Sequence, residues 1–345
     1  MVKQLITEKS GSDAYDFFSR YVQVESEETL VVSTTNDFNI RNNQNTFTSI
    51  INLSKVNNIR RINKFFETVN GKLQNGNIFV CCFETIAARK ERHRIGKIPV
   101  VKNIYFAFEF IFLRVFPKLP GFKKLYFSFT RGRNRILSKA EGLGRLVSCG
   151  FEIVTYETYK GLLYVVSKKI KEPEFNMDPS YGPLFKMKRI GKNGRIIGVY
   201  KFRTMHPYAE YLQDYVLRVS GYSESGKPKD DFRLTPWGRV MRKYWIDELP
   251  QLINVLKGEL KLVGVRPISE RYFQDIPEDL RELRMKHKPG CIPPYVALNR
   301  KSSVESVLQA ERDYLVEKNL HPYFTDTRFF FKAMFNIIVR RKRST

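Results

Sequence analysis

Histidine is scarce in this 345-residue chain: His93, His206, His287 and His321, widely scattered. A histidine-built metal centre or catalytic triad therefore has little material. Cysteine is as rare. Cys81, Cys82, Cys149 and Cys291 form no C-x-x-C pair and no Cys/His cluster with zinc spacing. In a strand, adjacent Cys81 and Cys82 would point to opposite faces. All four read as reduced packing residues in a cytosolic environment. No stretch of about 18 residues is free of charge, so an ordinary spanning helix is not expected. The first 20 residues lack the basic start and apolar run of an export signal. Gly11 is the only glycine among the first 45 residues and has no G-x-G context. A phosphate-cradling turn is therefore missing there.

Acidic residues are also in short supply, 35 against 60 Lys and Arg, for a formal charge of +25. That excess points to an anionic partner: nucleic acid, anionic lipid or a multiply phosphorylated substrate. At 42% hydrophobic the chain can bury a sizeable core, and its length suggests two domains.

In the first half, residues 1–45 are polar and weakly patterned apart from Thr29–Ser33, which reads as a short strand, as do Ser49–Leu53 and Ile78–Cys82 further on. Ile59, Ile62, Phe65, Phe66 and Val69 have helical spacing. Ser138 followed by Glu141 reads as a helix start, with the helix ending at Gly150. Phe151–Val154 and Gly161–Val166 read as two more strands. The order L-S-x-x-E, G-F-E-I-V, G-L-x-Y-V-V over residues 45–170 resembles the second half of a class I methyltransferase-like Rossmann domain. The missing glycine loop argues for a degenerate, structural version of it.

Residues 98–131 interrupt that pattern. Tyr105, Phe106, Phe108, Phe110 and Phe112 precede Pro117 and Pro120, then Tyr126, Phe127 and Phe129 follow. Lys97, Lys102, Lys118, Lys123, Lys124, Arg131, Arg133 and Arg135 flank or punctuate the run. Aromatic bodies edged by cations suit an interfacial helix–break–helix on an anionic membrane surface. Glu109 and Arg114 within it favour surface insertion over spanning.

The second half is denser in signals. Asn193-Gly194 between two apolar-alternating runs marks a hairpin, its return strand ending at Lys201-Phe202-Arg203. Further on, Trp245-Ile246-Asp247-Glu248-Leu249-Pro250-Gln251 leads into a helix. Leu249, Leu252, Ile253 and Leu256 share one of its faces, Pro250 suits its first position and Gly258 its C-terminal cap. Asp247 and Glu248 thus sit at a helix start, where free N–H groups favour carboxylates and phosphates. Lys201, Arg203, Arg242 and Arg266 supply cations suited to phosphate oxygens.

These segments resemble the bacterial sugar transferases, monotopic polyprenyl-phosphate phosphoglycosyl transferases. The match runs through K-R-I-G-K-N-G-R-I-I-G-V-Y-K-F-R-T-M (188–205), D-D-F-R-L-T-P-W-G-R (230–239), the D-E-L-P-Q block (242–267) and K-P-G-C-I-P-P-Y (288–295). The resemblance implies Asp247 as nucleophile and Glu248 as its partner and Mg²⁺ ligand. It implies Lys201, Arg242 and Arg266 as phosphate binders. It further implies a UDP-sugar donor, a polyprenyl phosphate acceptor, attachment to the cytoplasmic face of a bacterial inner membrane, no nucleic-acid partner, and room for a homo-oligomer. Departures are visible. The family's long apolar re-entrant helix before the first strand is replaced by a polar, Pro-containing stretch at 165–185, and 98–131 is a candidate substitute. Val265 stands where the family has proline. The loop 206–229 is long and reads as a lid or specificity element. Phe329–Val339 followed by Arg340–Arg343 suggests a terminal interfacial helix. Asp313 and Asp326 fall in segments resembling the family's terminal region.

The expected fold is therefore α/β. A degenerate Rossmann-like domain (1–170) precedes a mixed α+β, membrane-associated sugar-transferase domain with interfacial helices (171–345). The competing readings are a methyltransferase-like enzyme and a non-enzymatic basic protein that binds membrane or nucleic acid.

Overall fold

The structure is a computed structural model and describes residues 2–92, 99–115, 121–175, 182–221 and 231–343. The chain divides into two compact units. The first holds residues 1–181 with 206–220 and 231–233; the second holds 182–205, 221–230 and 234–345. The change of unit thus falls about ten residues beyond the boundary expected from sequence, and two later stretches return to the first unit.

The first unit is built on one sheet of β1 (Thr29–Val32), β2 (Phe47–Lys55), β3 (Leu73–Phe83), β4 (Phe151–Tyr159) and β5 (Leu162–Lys169). Their order is β1-β2-β3-β5-β4, with β1, β2 and β3 parallel and β5 antiparallel to both neighbours. The Ile78–Phe83 run of β3 is continuously apolar, as a strand covered on both faces must be. Alternation sends Ile50, Phe79 and Cys81 into one core and Ile51, Val80 and Cys82 into the other. The adjacent cysteines do part across the sheet, and all four thiols are free. Helices Ile62–Asn70 and Lys139–Ser148 cover the first face, the latter capped by Ser138, whose Oγ accepts the Glu141 N–H at 3.1 Å.

The opposite face is covered by helices Val2–Ser10 and Ser12–Ser19, which bury Ile6, Ala14, Phe17 and Phe18. The weak pattern read over residues 1–45 thus hides two helices. Each is shorter than the roughly 11-residue window over which helical periodicity is read. At the C-terminal end of β2 and β3, where a Rossmann-like sheet takes its ligand, the chain binds itself. Asn57 Nδ2 donates to Glu84 O (2.9 Å) and Arg135 O (2.8 Å), while its Oδ1 accepts the Glu84 N–H (2.7 Å).

The stretch 206–220 is no lid. Leu212 and Val216 lie in the same core as Phe66 and Leu143. Tyr208, in the left-handed region (φ 62), packs its carbonyl against Gly144, where a Cβ would come within 2.3 Å. Residues 222–230 of that loop lie outside the described residues, as do Lys97, Pro117, Lys118 and Pro120 of the aromatic segment. The rest of that segment forms helix Pro99–Phe110, a π-helical turn Ile111–Val115 and helix Phe122–Thr130.

The second unit opens with the antiparallel hairpin β6 (Leu184–Ile190) and β7 (Ile196–Phe202). Asn193 and Gly194 at its turn both have positive φ, 57° and 74°, as the Asn-Gly signal requires. A short parallel pair, β8 (Lys261–Val263) and β9 (Gly290–Ile292), joins distant parts of the chain. Val263, Leu280, Tyr295, Leu315 and Phe329 form the core under them. The terminal helix Thr325–Ile338 divides its apolar residues. Phe329 and Ala333 face the core, and Asn336 donates to Val296 O and Ala297 O, whereas Phe331, Phe335 and Ile338 face outward. Among the described residues, no helix is long and apolar enough to cross a membrane.

Candidate active site

Asp247 and Glu248 lie in a single 3-10 turn, Ile246–Glu248, directly before helix Gln251–Leu256. Pro250 caps that helix rather than starting it, and Gly258 follows it with φ 69°. The turn is entered through Trp245 at φ 55°, an unusual conformation for a bulky residue. Packing of Trp245 on the second unit's core over-determines it.

The helix is strapped to the hairpin by Asn254. Its Oδ1 accepts the Tyr200 N–H (3.0 Å), and its Nδ2 donates to Gly198 O (2.9 Å) and Glu259 Oε2 (2.6 Å). This fixes β7 beside the acidic turn and brings Lys201 Nζ to 2.6 Å from Glu248 Oε1. Arg266 Nη2 reaches the same oxygen at 3.5 Å. Arg242, on helix Pro236–Lys243, donates from Nε to Thr204 Oγ1 at 2.9 Å and places its charge near Asp247. Five expected residues thus converge: Asp247, Glu248, Lys201, Arg242 and Arg266. Arg203 does not join them: it donates to Gly182 O (3.0 Å), lies over the Phe185 ring and makes no ion pair with Asp247 or Glu248.

The two carboxylates are held differently. Burial pushes Glu248 up, but the Lys201 and Arg266 charges and hydrogen bonds from Lys201 and Gln251 outweigh it, so its carboxyl sits below the usual range. Asp247 is 8% exposed and has no ion pair among the described residues. Burial raises its carboxyl, Lys201 and Arg242 pull it down, Glu248 pushes it up, and the net direction is upward. A raised carboxylate in a field of cations is the kind of perturbed group that clusters at functional sites.

Arg266 arrives through close backbone packing. A Cβ on Gly290 would lie 2.2 Å from Gly264 N, so β8 and β9 need glycine at both positions. Its main chain is gripped by a buried pair: Arg266 N–H donates to Glu311 Oε1 (3.3 Å), Arg284 donates to Arg266 O, and Arg284 also pairs with Glu311. Sequence reasoning missed these two, and also Asn254, Gln251, Cys291 and Tyr295. The Cys291 thiol is pushed up to about 11 by burial and by Glu248, which rules it out as a thiolate nucleophile. Tyr295 is raised by burial against the pull of Arg266. Asp313 pairs with Arg300, and Asp326 with Lys261, Lys318 and Tyr314. A separate cleft of about 750 Å³, lined by Lys192, Lys261, Lys288 and Phe330, includes neither Asp247 nor Glu248.

A divalent cation has limited protein donors here. No group of three or more His, Cys, Asp or Glu that could hold a metal occurs among the described residues. Buried Gln251 Oε1, beside Glu248, has no hydrogen-bond partner among them. Two carboxylates and one orphaned amide oxygen fit Mg²⁺ as it usually binds, through one or two carboxylates completed by substrate phosphates and water.

A buried acidic pair ringed by Lys and Arg on a hairpin-and-helix scaffold is the equipment of a phosphate-handling transferase. The bacterial sugar transferase family model matches residues 175–340. The chain is 33% identical over 175 residues to the uncharacterized sugar transferase EpsL of Bacillus subtilis, covering 51% of this chain and 75% of that protein. It belongs to the bacterial sugar transferase family. It is also 40% identical over 111 residues to the galactosyl transferase CpsE of Streptococcus agalactiae, 32% of this chain and 24% of that one. The undecaprenyl-phosphate galactose phosphotransferase of Salmonella typhimurium is 40% identical over 119 residues, again 32% and 24%. The chain thus spans about a quarter of the length of these last two relatives.

Proposed function

We propose that this protein moves a phosphosugar from a UDP-sugar to polyprenyl (undecaprenyl) phosphate, as the first step of exopolysaccharide, capsule or glycoconjugate assembly on the cytoplasmic face of a bacterial inner membrane. The observation that carries the reading is Asp247: buried, without an ion pair among the described residues, its carboxyl raised, yet set in the field of Lys201 and Arg242. The names of the Streptococcus and Salmonella relatives support the substrate class.

In the first step an Asp247 carboxylate oxygen attacks the phosphorus that bears the sugar. The phosphoanhydride bond breaks, UMP leaves with the bond's electron pair, and an aspartyl-phosphosugar remains. In the second, a phosphate oxygen of the polyprenyl phosphate attacks the same phosphorus. The aspartyl–phosphorus bond breaks, the carboxylate is regenerated and a polyprenyl diphosphate-sugar departs. Lys201, Arg242 and Arg266 hold phosphate oxygens and offset the charge of two carboxylates facing two phosphates. Glu248, held by Lys201 and Arg266, orients the turn and is the residue we assign to Mg²⁺. That ion, when bound, would neutralise the pyrophosphate.

The test is UMP release in nanodiscs containing polyprenyl phosphate and Mg²⁺, across a panel of UDP-sugars, for wild type and Asp247→Asn. Release that requires one sugar, the lipid and Asp247 supports the reading. Equal release by Asp247→Asn would overturn the assignment of the nucleophile.

A further inference from the structure

We infer that the helix pair Pro99–Phe110 and Phe122–Thr130 of the first unit is a docking surface for an anionic lipid bilayer, clamped to the sheet by Arg89 and Glu109. The inference is independent of the reaction proposed above, and the segment lies outside residues 175–340 that the family model matches.

The surface is inverted relative to an ordinary packed helix. On the first helix Val101, Ile104 and Phe108 are exposed; on the second, Phe122, Leu125 and Phe129 are exposed. Both sets have i, i+3, i+7 spacing, so each helix turns a complete apolar stripe to the outside. Phe108 is 71% and Phe129 78% exposed, while Tyr126 on the second helix is buried and anchors it inward. The apolar residues continue through Ile111 and Phe112 in the π-helical turn.

Glu109 is the exception within the first helix, and it is not on the stripe. Its Oε1 accepts from Arg89 Nη2 at 2.7 Å and Nε at 3.0 Å. Arg89 Nη1 also reaches Glu84 Oε2 at 3.2 Å, and Arg92 Nε lies 3.0 Å from Glu84 Oε1. Two carboxylates and two guanidiniums form a neutral, mostly buried cluster at the end of β3. It ties the aromatic helix to the domain without exposing an acid on the apolar face.

Charge selects the occupant. Residues 86–135 hold thirteen Lys and Arg against Glu91 and Glu109 alone. Lys90, Lys124, Arg131 and Arg133 are exposed. A second copy of this chain would bring the same positive charge to the same face, which opposes self-association there. Anionic headgroups meet the cations while the aromatic stripes enter the headgroup boundary, as an interfacial helix requires. Neither helix is long enough to span.

The experiment is flotation of the full chain with vesicles of phosphatidylglycerol and phosphatidylcholine, against phosphatidylcholine alone. Wild type is expected to float with the anionic vesicles. Phe108→Ser with Phe129→Ser, both on the surface, should weaken partitioning about tenfold or more, with an unchanged thermal melt as the folding control. Lys124→Glu with Arg133→Glu should weaken binding to anionic vesicles by about fivefold or more and leave the phosphatidylcholine result unchanged. Wild-type flotation by both variants would overturn the inference. So would a dimer in lipid-free buffer that the phenylalanine pair dissolves while vesicle binding persists.

Discussion

Glu84 and Glu141, in the sheet-bearing unit, and Asp247, in the second, are all less than a tenth exposed. Their surroundings differ. Glu84 lies within 3.2 Å of Arg89 and 3.0 Å of Arg92, and Glu141 within 2.8 Å of Arg145. Glu311, buried in the second unit, pairs with Arg284 in the same way. A buried charge is ordinarily tolerated only when paired and hydrogen-bonded. Asp247 alone of these four has no ion pair among the described residues, and burial raises its carboxyl. A carboxylate left costly to ionise, next to one that is clamped, is the contrast on which the proposed nucleophile rests.

Replacing the reactive group should give the largest effect. Asp247→Asn is expected to cut UMP release by about a thousandfold or more, measured at saturating donor. The same substitution should stabilise the fold at neutral pH. A carboxyl raised in the native state favours folding only while protonated, and that contribution is lost as pH rises through its native pKa. The melting advantage of Asp247→Asn should therefore grow as pH rises through that range and vanish in strong acid. Glu248→Gln should behave oppositely. Its lowered carboxyl stabilises the fold above the unfolded value and loses that contribution as pH falls through the native one.

The paired carboxylates provide the contrast. Arg145→Met strands Glu141 in the core and should destabilise the protein by about 3 kcal/mol in urea titration. A smaller but more diagnostic effect belongs to Lys201→Met. Lys201 lowers both Asp247 and Glu248, so its loss should reduce activity roughly tenfold to a hundredfold. It should also move the acid limb of the pH–rate profile to higher pH. An unmoved limb would mean that Lys201 does not act on the carboxylate that titrates. The mildest effect is expected from Asn254→Ala, about 1–2 kcal/mol of stability, because Asn254 ties helix Gln251–Leu256 to β7 and leaves the charges in place.

The charged cluster that the structure brings together was legible because Asp247, Glu248 and Arg242 stand within seven residues of one another, and Lys201 and Arg266 lie in the motifs around them. What the pattern could not show was assembly over distance. Glu311 and Arg284 reach Arg266 through its backbone, and no local spacing announces that. Cys291 and Tyr295 come near Glu248 because β9 pairs with β8. Arg203 looked equivalent to Lys201 in sequence, but it lies just past the end of β7 and turns to Gly182 and Phe185. In the first unit, apolar runs revealed β2 and β3, whereas the N-terminal helices offered eight or nine residues each and no run to detect. The loop 206–229 reads as a lid or specificity element, yet Leu212 and Val216 put its described stretch 206–220 in a core.

The most direct test of the central claim is intact-mass spectrometry of the protein mixed with its UDP-sugar and no lipid acceptor. The account predicts a mass gain of one phosphosugar, mapped to Asp247 after proteolysis, absent in Asp247→Asn and discharged by polyprenyl phosphate. Turnover with acceptor present but no adduct in its absence, or an adduct on another residue, would contradict it.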